Sequence, residues 1–150
     1  MLNEDAYGKA RAEAVRRDCP FEKAILSGCC RCSLASRHNI AEREAVSCGS
    51  PSAHVACKNL HGLLVEKALF ALRIPRFTEK LPHAKEMKIQ CGGLFGLERV
   101  ASRLEGDPSF VSDVSALVST ALEKFGQLDS LPYSEIVKSV SAFEIRQRHQ

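Results

Sequence analysis

Apolar residues recur along this chain at helical rather than strand spacing. The fullest pattern runs from Pro51 to about Arg73, where Ala53, Ala56, Cys57, Leu60, Leu63, Leu64, Ala68, Ala71 and Leu72 cover more than half of a helical projection. Lys58, Asn59, Glu66 and Arg73 share the narrow polar strip that is left. A helix with so wide an apolar face is expected to be central and largely buried. Ser50 offers an N-cap for it, and Pro51 stands at the first helical position, where a missing N–H costs nothing.

The rest of the chain divides around this helix. Tyr7, Ala10 and Ala14 mark a first helix over Asn3 to Arg17, with Lys9, Arg11, Arg16 and Arg17 on its other sides. Cys19-Pro20 ends that segment, because the residue before a proline is pushed out of helical geometry. A short second helix follows, roughly Pro20 to Ser27, stopped by Gly28. Residues 33–37 read as a connection, and His38 to Ser47 as another short helix turning Ile40, Ala41 and Val46 inward.

Ile74 to Pro82 reads as a proline-punctuated loop, followed by a helix from about His83 to Gln90 and a break at Cys91-Gly92-Gly93. Leu94, Leu97, Val100, Ala101 and Leu104 space as a helix ending at Gly106. Asp107-Pro108 carries the pattern of a helix start, with Val111, Val114, Leu117, Val118, Ala121 and Phe125 following in phase. Pro132 opens a last helix through Ile136, Val140 and Phe143, and the short turn before it predicts an antiparallel helical hairpin. Strand alternation is not evident. The expected fold is therefore all-α: one domain over 1–150, a bundle of about six to eight helices. Its cysteine-rich, cofactor-binding part spans about 19–93 and its helical hairpin about 107–148.

Composition narrows the function classes. A chain of 150 residues can bury a sufficient core without covalent staples. Aromatic residues are only 6% and Trp is absent, so Leu, Ala and Val must do the packing. A net charge of +3 permits nucleic-acid contact through Lys9, Arg11, Arg16 and Arg17 but does not argue for it. No run approaches the roughly 18 apolar residues of a membrane span. The first residues lack the apolar core of a secretory signal. The expected compartment is the cytoplasm, where thiols stay reduced.

Cysteine usage is the informative feature. Cys29, Cys30, Cys32, Cys48 and Cys57 fall within twenty-nine residues, Cys91 opens a Cys-Gly-Gly sequence, and Cys19 makes the total an odd seven, a poor fit to disulfide pairing. Four thiolates drawn to one point suit an iron–sulfur cluster. Cys32, Cys48, Cys57 and Cys91 form the tetrad proposed from spacing, with Cys29, Cys30 or Cys19 as alternates. The expectation is a [4Fe–4S] protein in electron transfer or redox sensing, working with a protein redox partner. The spacing is not that of a bacterial ferredoxin.

Zinc is the rival metal, in an interaction or nucleic-acid-binding module. Cys29 and Cys32 form its one knuckle-like pair, and Cys57 and His61, with His54, share a helix face that a mixed Cys/His site would use. A third reading is an enzyme whose cluster has three cysteine ligands and an open iron. A thiol-redox reading rests on Cys29-Cys30-Arg31-Cys32, where Arg31 would favour the thiolate. No P-loop lysine, nucleophile elbow or Glu-x-x-His pair accompanies these cysteines. A non-enzymatic cluster protein is therefore preferred.

Overall fold

A buried loop-and-helix corner around Phe21 begins the ordered core. The computed structural model describes Asp5, Ala6, Gly8, Lys9 and residues 17–75 and 80–145. The helix expected over Asn3 to Arg17 lies for the most part outside them. Helix α1 (Glu22–Leu26) buries Ala24 and Ile25 beside the fully enclosed Phe21. Gly28 ends this segment at φ 86°, a left-handed turn that glycine makes without strain.

The all-α expectation fails at the next segment. Strands β1 (Ala35–Ile40) and β2 (Arg43–Cys48) form an antiparallel hairpin in the register Ala35 to Cys48 through Ile40 to Arg43. The fold is mixed, helices plus a two-stranded sheet, and not a pure helical bundle. The helix expected over His38 to Ser47 is absent because non-local pairing decides this region. Cys19 N–H bonds Val46 O and Cys48 N–H bonds Arg17 O, both at 2.9 Å, so β2 is paired on both sides. Arg37 meets Glu44 at 3.1 Å and His38 meets Ser47 at 2.8 Å across the strands. The turn is made by Ala41 and Glu42 at φ 49° and 74°, the primed geometry that Asn-Gly normally supplies. Ile40 and Ala45 close a small cluster of their own, while Val46 enters the main core.

Helix α2 (Pro51–Ala71) starts as the sequence predicts, with Ser50 Oγ accepting from Ala53 N–H at 3.2 Å. It is less enclosed than its composition suggests. Leu60, Leu64 and Ala68, spaced by four, form its buried stripe, while Val55 and Phe70 stand exposed.

Cys91-Gly92-Gly93 is not a break. Helix α3 (His83–Met87) runs through a π-helical turn (Lys88–Gly92) directly into α4 (Gly93–Ala101). The glycines are there for close approach. A Cβ at Gly92 would stand 2.6 Å from Val140 Cα, and one at Gly96 2.7 Å from Ile136 O. They let helix α6 (Tyr133–Ala142) lie backbone to backbone across α4 and the π turn.

Asp107-Pro108 does not start a helix either. The Asp107 carboxylate is taken by Arg99 Nε at 3.1 Å and Ser139 Oγ at 2.5 Å. Helix α5 (Val114–Phe125) begins later, capped by Asp113, whose carboxylate accepts from Ser115 N–H at 3.1 Å. After a 3₁₀ turn (Leu128–Ser130), α6 packs on α4 and α2 rather than along α5. The expected C-terminal hairpin at about 107–148 is thus two helices that each dock on α4.

Candidate functional site

Asp113 also organises the cysteine loop. Its carboxylate accepts from Ser33 N–H at 3.0 Å, which draws the carboxyl below its usual range although partial burial opposes this. Arg31 N–H bonds Val111 O, Val111 N–H bonds Cys29 O and Val114 N–H bonds Arg31 O, all within 2.9–3.0 Å. The segment from Cys29 to Ser33 is therefore pinned along 111–114, with an isolated parallel bridge between Cys30 and Val111. Cys30 turns into the hydrophobic core, where burial pushes its thiol pKa up, while Cys32 lines a separate cavity.

That cavity holds the most cysteine-rich surroundings in the molecule. Cys19, Cys32, Cys48 and Cys57 all line it, together with Phe21, Leu34, Ala53 and Val114. Each thiol comes from a different segment: the stretch before α1, the loop after it, the end of β2, and the second turn of α2. The pairing of 17–19 on β2 brings Cys19 beside Cys48, and Arg17 Nε fixes the same corner by donating to Cys48 O at 3.1 Å. The cavity is about 20 Å³, room for roughly one small guest such as a single water.

Its electrostatics follow from the dry walls. Burial pushes the Cys19 thiol up to about 12, opposed in part by a backbone hydrogen bond at Phe21 and reinforced by Cys32 and Cys48. Burial likewise pushes Cys57 up to about 12, with Cys19, Cys32 and Cys48 acting in the same direction. Without a cation these two groups stay protonated. The Cys48 thiol donates to Ser50 O at 3.4 Å. All seven cysteines are free thiols. Among the described residues, no three Cys, His, Asp or Glu side chains already converge as ligands on one point.

Three of the four cysteines chosen from spacing, Cys32, Cys48 and Cys57, share this cavity, and the alternate Cys19 joins them. Cys91 lies elsewhere: it is fully buried in the π turn, with the Ser27 hydroxyl 3.8 Å from its sulfur. Its glycine neighbours pack against helices instead of opening a loop. The position of Cys19 has no signal in its own neighbourhood, since it depends on a backbone pair formed twenty-seven residues downstream.

The histidines raised as metal ligands have other work. His54 Nε2 meets Asp18 O at 2.9 Å, and His61 Nε2 meets Glu86 Oε1 while its ring stands edge-on to Phe21. Gln90 Nε2 donates to the same Glu86 oxygen at 2.9 Å. Burial opposes ionisation of Glu86, yet the hydrogen bonds from His61 and Gln90 carry its pKa below the usual value. Arg31 lies over the Phe110 ring, 5.9 Å from its centroid. Of the basic residues offered for nucleic acid, Arg11 and Arg16 lie outside the described residues and Arg17 braces Cys48. No described helix is long and apolar enough to cross a membrane. Compared with protein-family models, curated proteins and solved structures, the chain matches none of them.

Proposed function

We propose that Cys19, Cys32, Cys48 and Cys57 hold a metal–sulfur centre, an iron–sulfur cluster of the [4Fe–4S] type, and that the protein transfers electrons or senses redox state through it. One observation carries this reading: four thiols from four chain segments line a single cavity to which, among the described residues, no histidine or carboxylate contributes. An all-thiolate donor set selects iron–sulfur clusters or zinc over harder cations. When bound, the cluster would supply one-electron chemistry. The chain's own part is to give up four thiol protons, enclose the centre in apolar walls that tune its potential, and gain folding free energy from the cross-link.

Zinc is the second reading, favoured by size. A cavity of about 20 Å³ has room for one ion once the sulfurs draw together around it, whereas a four-iron cluster requires the walls to move apart. Zinc bound by four cysteines would be structural, with no coordination position left for a substrate. The same count of four thiols speaks against a cluster with an open iron.

Anaerobic purification followed by assay of iron, zinc and acid-labile sulfide decides between them. The proposal expects a brown protein containing iron and sulfide in equal amounts. Ser in place of Cys19, Cys32, Cys48 or Cys57 should deplete the iron, and Ser in place of Cys30 or Cys91 should not. A colourless protein with one zinc supports the second reading. Failure to retain either metal after anaerobic reconstitution sinks both.

A further inference from the structure

The cysteines left over by that cavity form a second arrangement. Cys29 is half-buried on the wall of a groove of about 420 Å³, within the size range of small-molecule sites. Met87, Phe95 and Phe143 supply its apolar surface, and Ser109 and Glu144 its polar one. Cys91, sealed from solvent, shares the Ser27 hydroxyl with Cys29. The Ser27 hydroxyl sits between the two sulfurs, 3.4 Å from Cys29 Sγ and 3.8 Å from Cys91 Sγ. A π-helical turn places Cys91 there, a backbone irregularity that is found often at functional positions.

We propose that Cys29 and Cys91 are a dithiol pair that exchanges with a low-molecular-weight disulfide bound in this groove. Cys29 is the accessible sulfur and Cys91 the concealed one that completes the exchange. The Cys29 sulfur attacks one sulfur of the external disulfide, forming a mixed disulfide as the S–S bond breaks and the first half departs as a thiolate. Cys91 then attacks Cys29 Sγ, so that the intramolecular bond forms and the second half departs. The proton from each protein thiol ends on one departing thiolate. The external disulfide gains two electrons and becomes two thiols, and the protein dithiol loses two and becomes one disulfide.

The local electrostatics suit these roles. A hydrogen bond from the Cys91 thiol, opposed by burial and helped by Ser27, holds Cys29 below the usual thiol range and favours its attacking thiolate form. The same hydrogen bond, with burial, pushes Cys91 up and keeps its proton in place until Cys29 has lost its negative charge. Ser27 and the buried Cys30 thiol act on the pair, and Glu144 lines the same groove as Cys29. No cysteine of the proposed metal centre takes part.

The test treats the full chain with hydroxyethyl disulfide and maps disulfides by mass spectrometry of digested protein. The wild type should yield a Cys29–Cys91 linkage and two equivalents of mercaptoethanol. Cys91→Ser and Cys91→Ala should each stop at a stable mixed disulfide on Cys29, and Cys29→Ser should abolish reaction at Cys91. Circular dichroism confirms that each variant keeps its fold. Adducts formed on other cysteines while Cys29 stays free would overturn the proposal. So would a wild-type mixed disulfide on Cys29 that never releases its second half. Metal content is measured on the same samples, so loss of the metal centre and loss of exchange are read separately.

Discussion

The buried thiols of the four-cysteine cavity should make the metal-free protein sensitive to alkali. In the unfolded chain a cysteine loses its proton near pH 9, whereas Cys19 and Cys57 hold theirs to about 12 in the fold. Above pH 9 the folded state therefore binds more protons than the unfolded one, and stability falls as pH rises. Each such proton is worth about 1.4 kcal/mol per pH unit once the unfolded thiol is fully ionised. Between about pH 9 and pH 11 that amounts to about 2 kcal/mol for each thiol and about 4 kcal/mol for both, a large share of the roughly 5–15 kcal/mol that holds a domain folded. Tyr133, pushed up to about 12 mainly by burial, adds in the same sense only above about pH 10.

Urea unfolding of the reduced, metal-free protein across this range measures the effect. The Cys19→Ala/Cys57→Ala double variant should lose about 4 kcal/mol less than wild type over the same interval. Equal losses in the two proteins would refute the reasoning, because burial of these thiols would then carry no proton linkage. Metal reverses the sign. Bound thiolates have already released their protons, so the loaded protein should lose the share of alkali sensitivity that Cys19 and Cys57 contribute and should lose stability in acid instead.

Three further predictions follow from the packing. Gly62→Ala, at an exposed position of α2 where a Cβ meets nothing within 4 Å, should stabilise by about 0.5–1 kcal/mol, whereas Gly96→Ala, whose Cβ would stand 2.7 Å from Ile136 O, should destabilise by about 1–3 kcal/mol by thermal melting. Replacing the turn Ala41-Glu42 by Asn-Gly should stabilise the hairpin by about 1–2 kcal/mol, because both positions have positive φ; an unchanged melting temperature would count against that turn geometry. Asp113→Ala removes both the cap of α5 and the anchor of Ser33 and should cost about 1–2 kcal/mol. Hydrogen exchange at the Ser33 and Ser115 amides should quicken in that variant.

The legible parts of this chain are those whose determinants are local. Ser50-Pro51 at the head of α2, Gly28 after α1 and the apolar spacing of α5 and α6 each act within a turn or two of helix. The hairpin was hidden because Ala41-Glu42 carries none of the usual turn chemistry and because β2 is held by residues 17–19. Gly92 and Gly93 have two physical meanings, chain break or close packing, and only the neighbouring helix decides which applies. The same ambiguity displaced Cys91 from its pocket. Cys32, Cys48 and Cys57, close along the chain, line one cavity, while Cys19 joins them only through its pairing with the sheet.

The contact at Gly92 and Gly96 reaches beyond stability. Side chains in an ordinary helix crossing can repack, which lets one helix slide or roll on another. Main chain meeting main chain has no such slack, so α6 is indexed to a single longitudinal position on α4. Lys88 secures the far end by donating to Ser141 O and, at 2.6 Å, to Phe143 O. Phe143 and Glu144, which line the same groove as Cys29, inherit that fixed position. The width of the groove is thereby set by two missing methyl groups a full helical turn apart.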